Sequence, residues 1–214
     1  LFKKEKDMLQ QKYKEYQKNG KISNPRENIL VFYGLGNGVL HFNTTRVIKH
    51  NPVDSAEISQ AEIIARKQVV EMISFFKENA KSFKNSYIAA LPEHIGVRES
   101  RKLRGVHILT ADEIKNCVHF EDTIALGNYE IDIHNPTGTG TQLYYFDEDE
   151  YYCIPYRSLQ PKEYDNMLVA GRCVSATHEA HSAIRIMPIC ACMGEAAGIA
   201  AYVADKNGTG VNDI

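Results

Sequence analysis

Two histidines, a glutamate and an arginine lie within eight residues near the end of the chain, at His178, Glu179, His181 and Arg185. An imidazole can exchange a proton near neutral pH, and a guanidinium can hold an anion. Two imidazoles and a carboxylate could also bind zinc. The zinc motif H-E-x-x-H, however, places its histidines four apart on a helix, whereas these are three apart in a predicted loop. The spacing therefore favours proton transfer over metal binding.

A second charged segment, residues 96–105, carries three arginines, a lysine and Glu99 without helical amphipathicity. Such a segment is often a solvated loop. Alternatively, Glu99 fixes one arginine while another points into a pocket for a carboxylate, which the planar guanidinium suits. The sequence leaves both interpretations open.

The elements around the histidines suggest a cofactor site. A short apolar strand is predicted at residues 166–170, followed by Gly171, a polar loop at residues 173–181 and a helix from about residue 188 to residue 204. Gly171 permits a tight turn, and proline is well tolerated in a first helical turn, where Pro188 lies. A stripe of small residues along this helix would allow a flat ligand to approach, although ordinary core helices also carry such stripes: Cys190, Gly194, Ala197 and Ala201.

Three more helices are predicted upstream. The first covers residues 3–18 with Gly20 at its end. The second begins at Gln60 behind a capping box of Ser59 and Glu62, and a short third follows the same motif at Thr110 and Glu113. The second helix is expected to bury one face: Ile63, Ile64, Val70, Ile73 and Phe76.

Strands are predicted at residues 29–33, 39–42, 129–134 and 151–155. The glycines between the first two lead into a strand and not into a helix, so they are interpreted as a hairpin turn and not as a phosphate-binding loop. Residues 137–141 are expected to form a mobile loop.

Composition limits the class of partner. The 214 residues are 43% hydrophobic and 24% charged, with a net charge of −2. The charge provides no basic field for nucleic acid. No apolar run approaches the roughly 20 residues of a membrane span, so small molecules are the expected partners. Residue 1 is a leucine in a helix-like opening, and we expect the chain to be a carboxy-terminal part of a longer, cytoplasmic protein.

Four segments together resemble a known family. They lie at residues 95–101 (I-G-V-R-E-S-R), 129–136 (Y-E-I-D-I-H-N-P), 154–159 (I-P-Y-R-S-L) and 165–188, the last being the most specific. They are similar to the carboxy-terminal half of the FAD-dependent oxidoreductases, a family distantly similar to the flavin subunit of heterodisulfide reductase. The resemblance covers roughly residues 25–205.

The resemblance implies an α/β fold (α+β mixed) with residues 1–160 as part of a substrate-side domain. Residues 161–214 would supply the last strand and helix of a Rossmann-like FAD-binding domain, whose amino-terminal G-x-G-x-x-G is absent from this sequence. It implies FAD contacts at eight positions: Gly171, Arg172, Cys173, Ala176, Thr177, Met187, Pro188 and Gly194. Catalytic candidates are His134, His178, His181 and Arg185. Substrate-binding candidates are Arg98, Arg101 and Arg157.

The function expected from this resemblance is electron or hydride transfer between a small molecule and FAD, with an electron-transfer partner possible and this chain by itself inactive. The alternative is a non-catalytic ligand-binding or assembly domain derived from a flavoprotein. The presence of a G-x-G-x-x-G segment in the parent protein distinguishes the two, because without it the FAD pyrophosphate is not held in the usual way.

Overall fold

The computed structural model describes residues 2–134 and 140–214, and the side chains of His134 and Thr141 are not among the parts it describes. Helices and strands are mixed along the chain, which is consistent with the predicted α/β class. Most of the predicted mobile loop at residues 137–141 lies outside the described residues.

Two compact units make up the chain. The first comprises Leu1–Val97 and Asn135–Gly140, and the second comprises Arg98–His134 and Thr141–Ile214. The boundary predicted after residue 160 falls inside the second unit. Every group of the candidate site described below belongs to the second unit.

The first unit packs two helices and a small sheet around an aromatic core. Its elements are α1 (Phe2–Lys18), β1 (Val31–Phe32), β2 (His41–Phe42) and α2 (Ser55–Asn79), with β1 and β2 antiparallel. The core includes Phe2, Tyr13, Phe75, Phe76 and Phe83, all less than a tenth exposed. The rings of Phe76 and Phe83 stack with centroids 4.8 Å apart.

The helix α2 starts earlier than predicted. Asp54 is its N-cap, and its carboxylate accepts hydrogen bonds from the amides of Ala56 at 2.9 Å and Glu57 at 3.0 Å. Ser59 lies inside the helix and donates to the Ser55 carbonyl at 2.8 Å. The prediction of a start at Gln60 is wrong because the aspartate one turn earlier caps the free amides first.

The buried face of α2 also differs from the prediction. Ile63 and Val70 are exposed, whereas the polar Gln68 is buried. Gln68 is tolerated there because its side-chain amide bonds both backbone groups of Arg46, at 3.0 and 2.8 Å. Of the five residues predicted for the buried face, Phe76 alone is buried. The other apolar residues buried on α2 were not predicted from the hydrophobic spacing: Ala61, Ala65, Met72 and Phe75.

The glycine-rich segment between the first two strands is a turn, as predicted. Gly34, Gly36 and Gly38 all have positive φ angles, at 104°, 135° and 80°. The segment leads into β2 and not into a helix. It therefore lacks the helix amino end that a phosphate-binding loop requires.

The second unit contains two antiparallel strand pairs and three helices. The strands β3 (Thr123–Gly127) and β6 (Tyr152–Pro155) pair, as do β4 (Ile131–His134) and β5 (Thr141–Tyr144). The helices are α3 (Ala111–Lys115), α4 (His178–Ile184) and α5 (Met187–Asn207). The capping box predicted at Thr110 and Glu113 is confirmed.

One stretch, residues 171–177, forms backbone hydrogen bonds on both of its sides and is called the central segment here. On one side Leu103 and Leu109 donate backbone hydrogen bonds to its carbonyls, and Thr177 donates back to Leu109. On the other side its Ser175 amide donates to the Ser158 carbonyl at 3.1 Å. Because both sides are paired, the central segment joins stretches of chain that are far apart in sequence.

The strand predicted at residues 166–170 is not observed. Within this stretch Val169 donates one backbone bond, to Leu159 at 2.9 Å. The extended pairing lies instead in the central segment, where Leu109 and Ala176 form a parallel bridge. The prediction of a strand at residues 166–170 is therefore wrong, because the backbone pairing in this region begins several residues later.

The last helix, α5, begins where it was predicted and ends at Asn207, beyond the predicted end at about residue 204. Pro188 lies in its first turn, and Gly208 closes it in the left-handed conformation. Its buried side carries Ile189, Met193, Ala200 and Ala204, and Gly194 is exposed. By length and composition alone α5 could cross a membrane, contrary to the expectation that no run is long enough, and 22% of its most apolar window is buried.

The close approach at Gly105 gives a test of the central segment. A Cβ at this position would lie 2.6 Å from the Ser175 Cβ, so we expect Gly105→Ala to lower the free energy of unfolding by about 1–3 kcal/mol. Thermal or urea unfolding measures this change. The control is Gly198→Ala in α5, where a Cβ meets open space and should be neutral or stabilising. Equal effects of the two substitutions would contradict the packing described for Gly105.

Candidate functional site

The helix α4 carries both histidines that the sequence placed in a loop. Thr177 is its N-cap, and the Thr177 hydroxyl accepts a hydrogen bond from the Ala180 amide at 3.3 Å. His178 is the first helical residue and His181 lies one turn later. The loop prediction is wrong because the threonine cap begins a helix immediately after the central segment.

His178 contacts Glu99 from the charged segment. Its Nδ1 is hydrogen bonded to Glu99 Oε2, and Lys102 Nζ lies 2.7 Å from Glu99 Oε1. Burial acts to raise the pKa of Glu99, but the hydrogen bonds and charges of Lys102 and His178 outweigh it and lower that pKa. Glu99 therefore stays ionised and fixes a lysine and a histidine, and not an arginine as one interpretation of the sequence expected.

His181 lies beneath the start of the central segment. It is fully buried, and its Nε2 lies 2.7 Å from the carbonyl oxygen of Arg172. A carbonyl only accepts, so Nε2 carries the proton. Within the described residues Nδ1 is buried and has no hydrogen-bond partner. Burial lowers the pKa of His181, which favours the neutral Nε2–H form.

A third contact joins two arginines to one aspartate. Arg98 Nη1 lies 3.2 Å from Asp132 Oδ2, and Arg185 Nη2 lies 3.7 Å from the same oxygen. Arg185 also donates to the Asp132 carbonyl at 3.0 Å. Arg185 therefore pairs across to β4.

These groups act on one another electrostatically. The charges of Glu99, Lys102 and Arg185 all affect the pKa of His181, and those of Arg98, Asp132 and Glu99 affect the pKa of Arg185. We call the set the charged cluster: Arg98, Glu99, Lys102, Asp132, His178, His181 and Arg185. Its three cations exceed its two carboxylates by one charge, which suits an anionic ligand.

The corner at residues 171–173 lies at the start of the central segment. Gly171 has φ +89°, and a Cβ there would meet open space. The Val174 amide donates to the Gly171 carbonyl at 3.2 Å, which closes a tight turn. Arg172 and Cys173 are exposed. The corner therefore presents backbone and two side chains on an accessible surface.

The amino end of α5 lies close to this corner. Burial raises the pKa of Cys190 in its first turn, and the charges of Arg172 and Cys173 also affect it. Met187 and Pro188 are exposed, and the N-cap residue Ile186 offers no side-chain acceptor to the first amides. Free amides at a helix start favour a negatively charged or electron-rich group.

The predicted site residues divide into three groups. The structure brings Arg98, His178, His181 and Arg185 into the charged cluster, and it places the predicted cofactor residues along the central segment and α5. Among the latter, Ala176 is buried and Thr177 caps α4. The third group lies outside the cluster. Arg157 pairs with Asp122, and Arg101 is exposed without a hydrogen bond or ion pair in the described part of the chain. The side chain of His134 is not described.

Sequence reasoning missed the partners of these residues. Lys102 was regarded only as one cation of a charged run, and Asp132 only as a polar position of a half-exposed strand. The alternation of the sequence predicts Asp132 and His134 on one face of the strand. No local signal connects Asp132 to Arg185, because the two are 53 positions apart.

Comparison with known families decides the class of protein. A family model described as FAD dependent oxidoreductase matches residues 2–214. The chain belongs to this family. No curated protein and no solved structure gives a significant match to this chain.

Family membership implies redox function and FAD binding in general, and the residues of this chain fit one part of such a cofactor. The open corner at Gly171 and the exposed start of α5 suit the flat isoalloxazine ring. No G-x-G-x-x-G occurs in the 214 residues, so the sequence lacks the usual backbone loop for a pyrophosphate. The fit therefore concerns the ring end of FAD.

The pairing of Arg157 with Asp122 predicts a pH dependence of stability. Arg157 donates to Asp122 from Nε at 2.9 Å and from Nη2 at 3.2 Å. Burial acts to raise the pKa of Asp122, but these bonds lower it below its ordinary 3.8. Because the folded pKa is depressed, the stabilisation is complete above about pH 5 and is lost as the pH falls through the folded pKa.

We expect Asp122→Asn to reduce the free energy of unfolding by about 1 kcal/mol at neutral pH, since the ion pair is partly exposed. The difference from wild type should shrink as the pH falls below the ordinary pKa of 3.8 and vanish once the pH is below the depressed pKa of folded Asp122, where both proteins are neutral at this position. Urea unfolding at several pH values measures it. Glu121→Gln removes a neighbouring carboxylate that makes no hydrogen bond in the described residues and serves as the control. A difference that persists in acid would contradict the ion-pair explanation.

Proposed function

We propose that this chain serves FAD-dependent oxidation of a small anionic molecule by forming the ring end of the flavin site and the substrate side next to it. The observation that carries the proposal is the hydrogen bond from His181 to the Arg172 carbonyl, 2.7 Å long. This bond connects the glycine corner to the charged cluster. The helix α4 thereby contacts both parts of the proposed site: His181 bonds the corner that would face the flavin, and His178 belongs to the charged cluster.

The flavin side of the proposal uses backbone more than side chains. Gly171, Arg172 and Cys173 would lie along the ring, with Met187, Pro188 and Gly194 on α5 and Ala176 and Thr177 supporting the corner. FAD, when bound, accepts a hydride equivalent from substrate. The first amides of α5 would stabilise negative charge on the reduced ring by roughly 1 kcal/mol.

The substrate side uses the surplus positive charge of the cluster. Arg98 is half-exposed at 42% and is aligned by Asp132, so it can offer guanidinium N–H groups to a carboxylate. Arg185 is 10% exposed and orients the same aspartate. Arg101 and Arg157 remain predicted contributors for which no contact with the cluster among the described residues supports a role, and His134 remains a predicted contributor whose side chain is not described.

The remaining part of the FAD site requires a dinucleotide-binding segment. We propose that a strand, glycine motif and helix outside these 214 residues hold the pyrophosphate, which would give the two-domain arrangement implied by the resemblance. A cytoplasmic location and a separate electron-transfer partner are further parts of the proposal. They rest on the family resemblance alone.

Titration with flavins tests the ring-end assignment. We expect the purified chain to bind FMN and FAD with similar affinity, because both carry the isoalloxazine ring, and to bind ADP much more weakly. Quenching of flavin fluorescence reports the first two, and calorimetry reports all three. Binding of ADP without FMN would reverse the assignment, and binding of no flavin at millimolar concentration would refute the proposed function for this chain.

Substitution of the corner glycine tests its position. Gly171→Val forces a β-branched residue into φ +89° and adds side-chain bulk in front of the corner, so we expect flavin binding to fall at least tenfold. Gly20→Val imposes a comparable backbone conflict at φ +69° in the first unit, where a Cβ also meets open space. This control should keep its flavin affinity. Unchanged binding by Gly171→Val would contradict the placement of the ring.

A further inference from the structure

We propose that Glu99 is a positioning residue that holds His178 in its Nδ1–H form, so that His178 Nε2 is the atom that accepts a proton from the substrate. The inference rests on the proposed function and deepens it. It assigns a specific atom to the proton transfer and a role to a glutamate that the sequence did not connect with His178.

The tautomer follows from the chemistry of the contact. Glu99 is ionised, since Lys102 and His178 hold its pKa below the ordinary value. An ionised carboxylate only accepts hydrogen bonds, so the imidazole nitrogen that contacts it must carry the hydrogen. That nitrogen is Nδ1. In the neutral ring the lone pair is therefore on Nε2.

The position of Nε2 suits a proton acceptor. The His178 side chain is 40% exposed, and its Nε2 forms no hydrogen bond within the described residues. Arg98 and Arg185, which suit a substrate carboxylate, belong to the same charged cluster. Glu99 links the two parts, since its carboxylate contacts His178 and its charge affects the pKa of Arg185.

The two histidines of α4 are opposite tautomers, because each contacts an oxygen that only accepts hydrogen bonds but does so through a different ring nitrogen. His181 places its Nε2 on the Arg172 carbonyl, which can only accept, so its hydrogen is on Nε2. His178 places its Nδ1 on a carboxylate. One helix thus presents an Nδ1–H ring toward the substrate side and an Nε2–H ring toward the flavin corner.

The proposed step balances as an alcohol or amine oxidation. The O–H or N–H proton of the substrate passes to His178 Nε2, and the lone pair left behind forms a C=O or C=N bond. FAD, when bound, would supply the acceptor for the hydride of the same carbon and its electron pair. The substrate loses two electrons, and Glu99 stabilises the imidazolium formed on His178.

Long-range proton–nitrogen NMR of histidine-labelled protein tests the assignment without substrate or flavin. At about pH 8 neutral rings show one protonated and one unprotonated nitrogen. We expect His178 in the Nδ1–H form and His181 in the Nε2–H form, with each signal assigned by its loss in His178→Gln or His181→Gln. An Nε2–H form of His178 would overturn the inference.

The variant Glu99→Leu tests the dependence on the carboxylate. We expect it to shift His178 to the Nε2–H form and to slow carbethoxylation of this ring by diethyl pyrocarbonate several-fold, because Nε2 then lacks its lone pair. Glu179→Leu is the matched control, since Glu179 is exposed next to His178 and its carboxylate has no partner in the described residues. It should retain both properties.

A merely structural role for Glu99 predicts a different pattern. In that case Glu99→Leu would have a lower thermal unfolding midpoint, but the tautomer of His178 and its reactivity with diethyl pyrocarbonate would stay as in wild type. That result would overturn the inference. The two proposals fail separately. Absence of flavin binding removes the proposed function but leaves the form of His178 measurable, whereas an Nε2–H form in a flavin-binding chain removes this inference alone.

Discussion

The backbone pairing of the central segment is the constraint on which the second unit depends. Residues 171–177 have no regular strand ladder of their own, yet their amides and carbonyls bond to the stretch at residues 103–109 on one side and to Ser158 on the other. Buried backbone groups must be paired, so Val174, Ser175 and Ala176 can be buried only in this arrangement. Gly105 is required next to Ser175 because no Cβ fits there.

This pairing explains how the candidate site is assembled. Arg98 and Glu99 lie just before the stretch at residues 103–109 that pairs with the central segment. Immediately after the central segment the chain forms α4. Glu99 and His178 therefore meet although 79 positions separate them. The ion pair does not create the approach, since a partly exposed pair stabilises by only about 1 kcal/mol or less. The backbone bonds set the approach, and the ion pair selects the form of the histidine ring.

The parts of the fold that the sequence predicted are those that depend on neighbouring residues. The Thr110 capping box, the glycine turn before β2 and the start of α5 each need only a few adjacent positions, and all were correct. The buried face of α2 failed because Gln68 is held by a distant backbone, at Arg46. The site behaved in the same way: His178 and Arg185 were recognisable by type, whereas Glu99 and Asp132 became their partners only through long-range pairing.

His181 shows where stability and function conflict. A buried nitrogen without a hydrogen-bond partner costs about 1–3 kcal/mol, and its Nδ1 has none within the described residues. An apolar side chain of similar size would fill the same volume without that cost, but it could not bond the Arg172 carbonyl. That carbonyl belongs to the corner at residues 171–173, where Gly171 has φ +89°. The hydrogen bond from His181 therefore holds this corner in place. A residue that breaks a local rule of packing is expected where a site requires it. The unpaired nitrogen is thus explained by the rigidity that its partner nitrogen gives to the surface proposed to face the flavin.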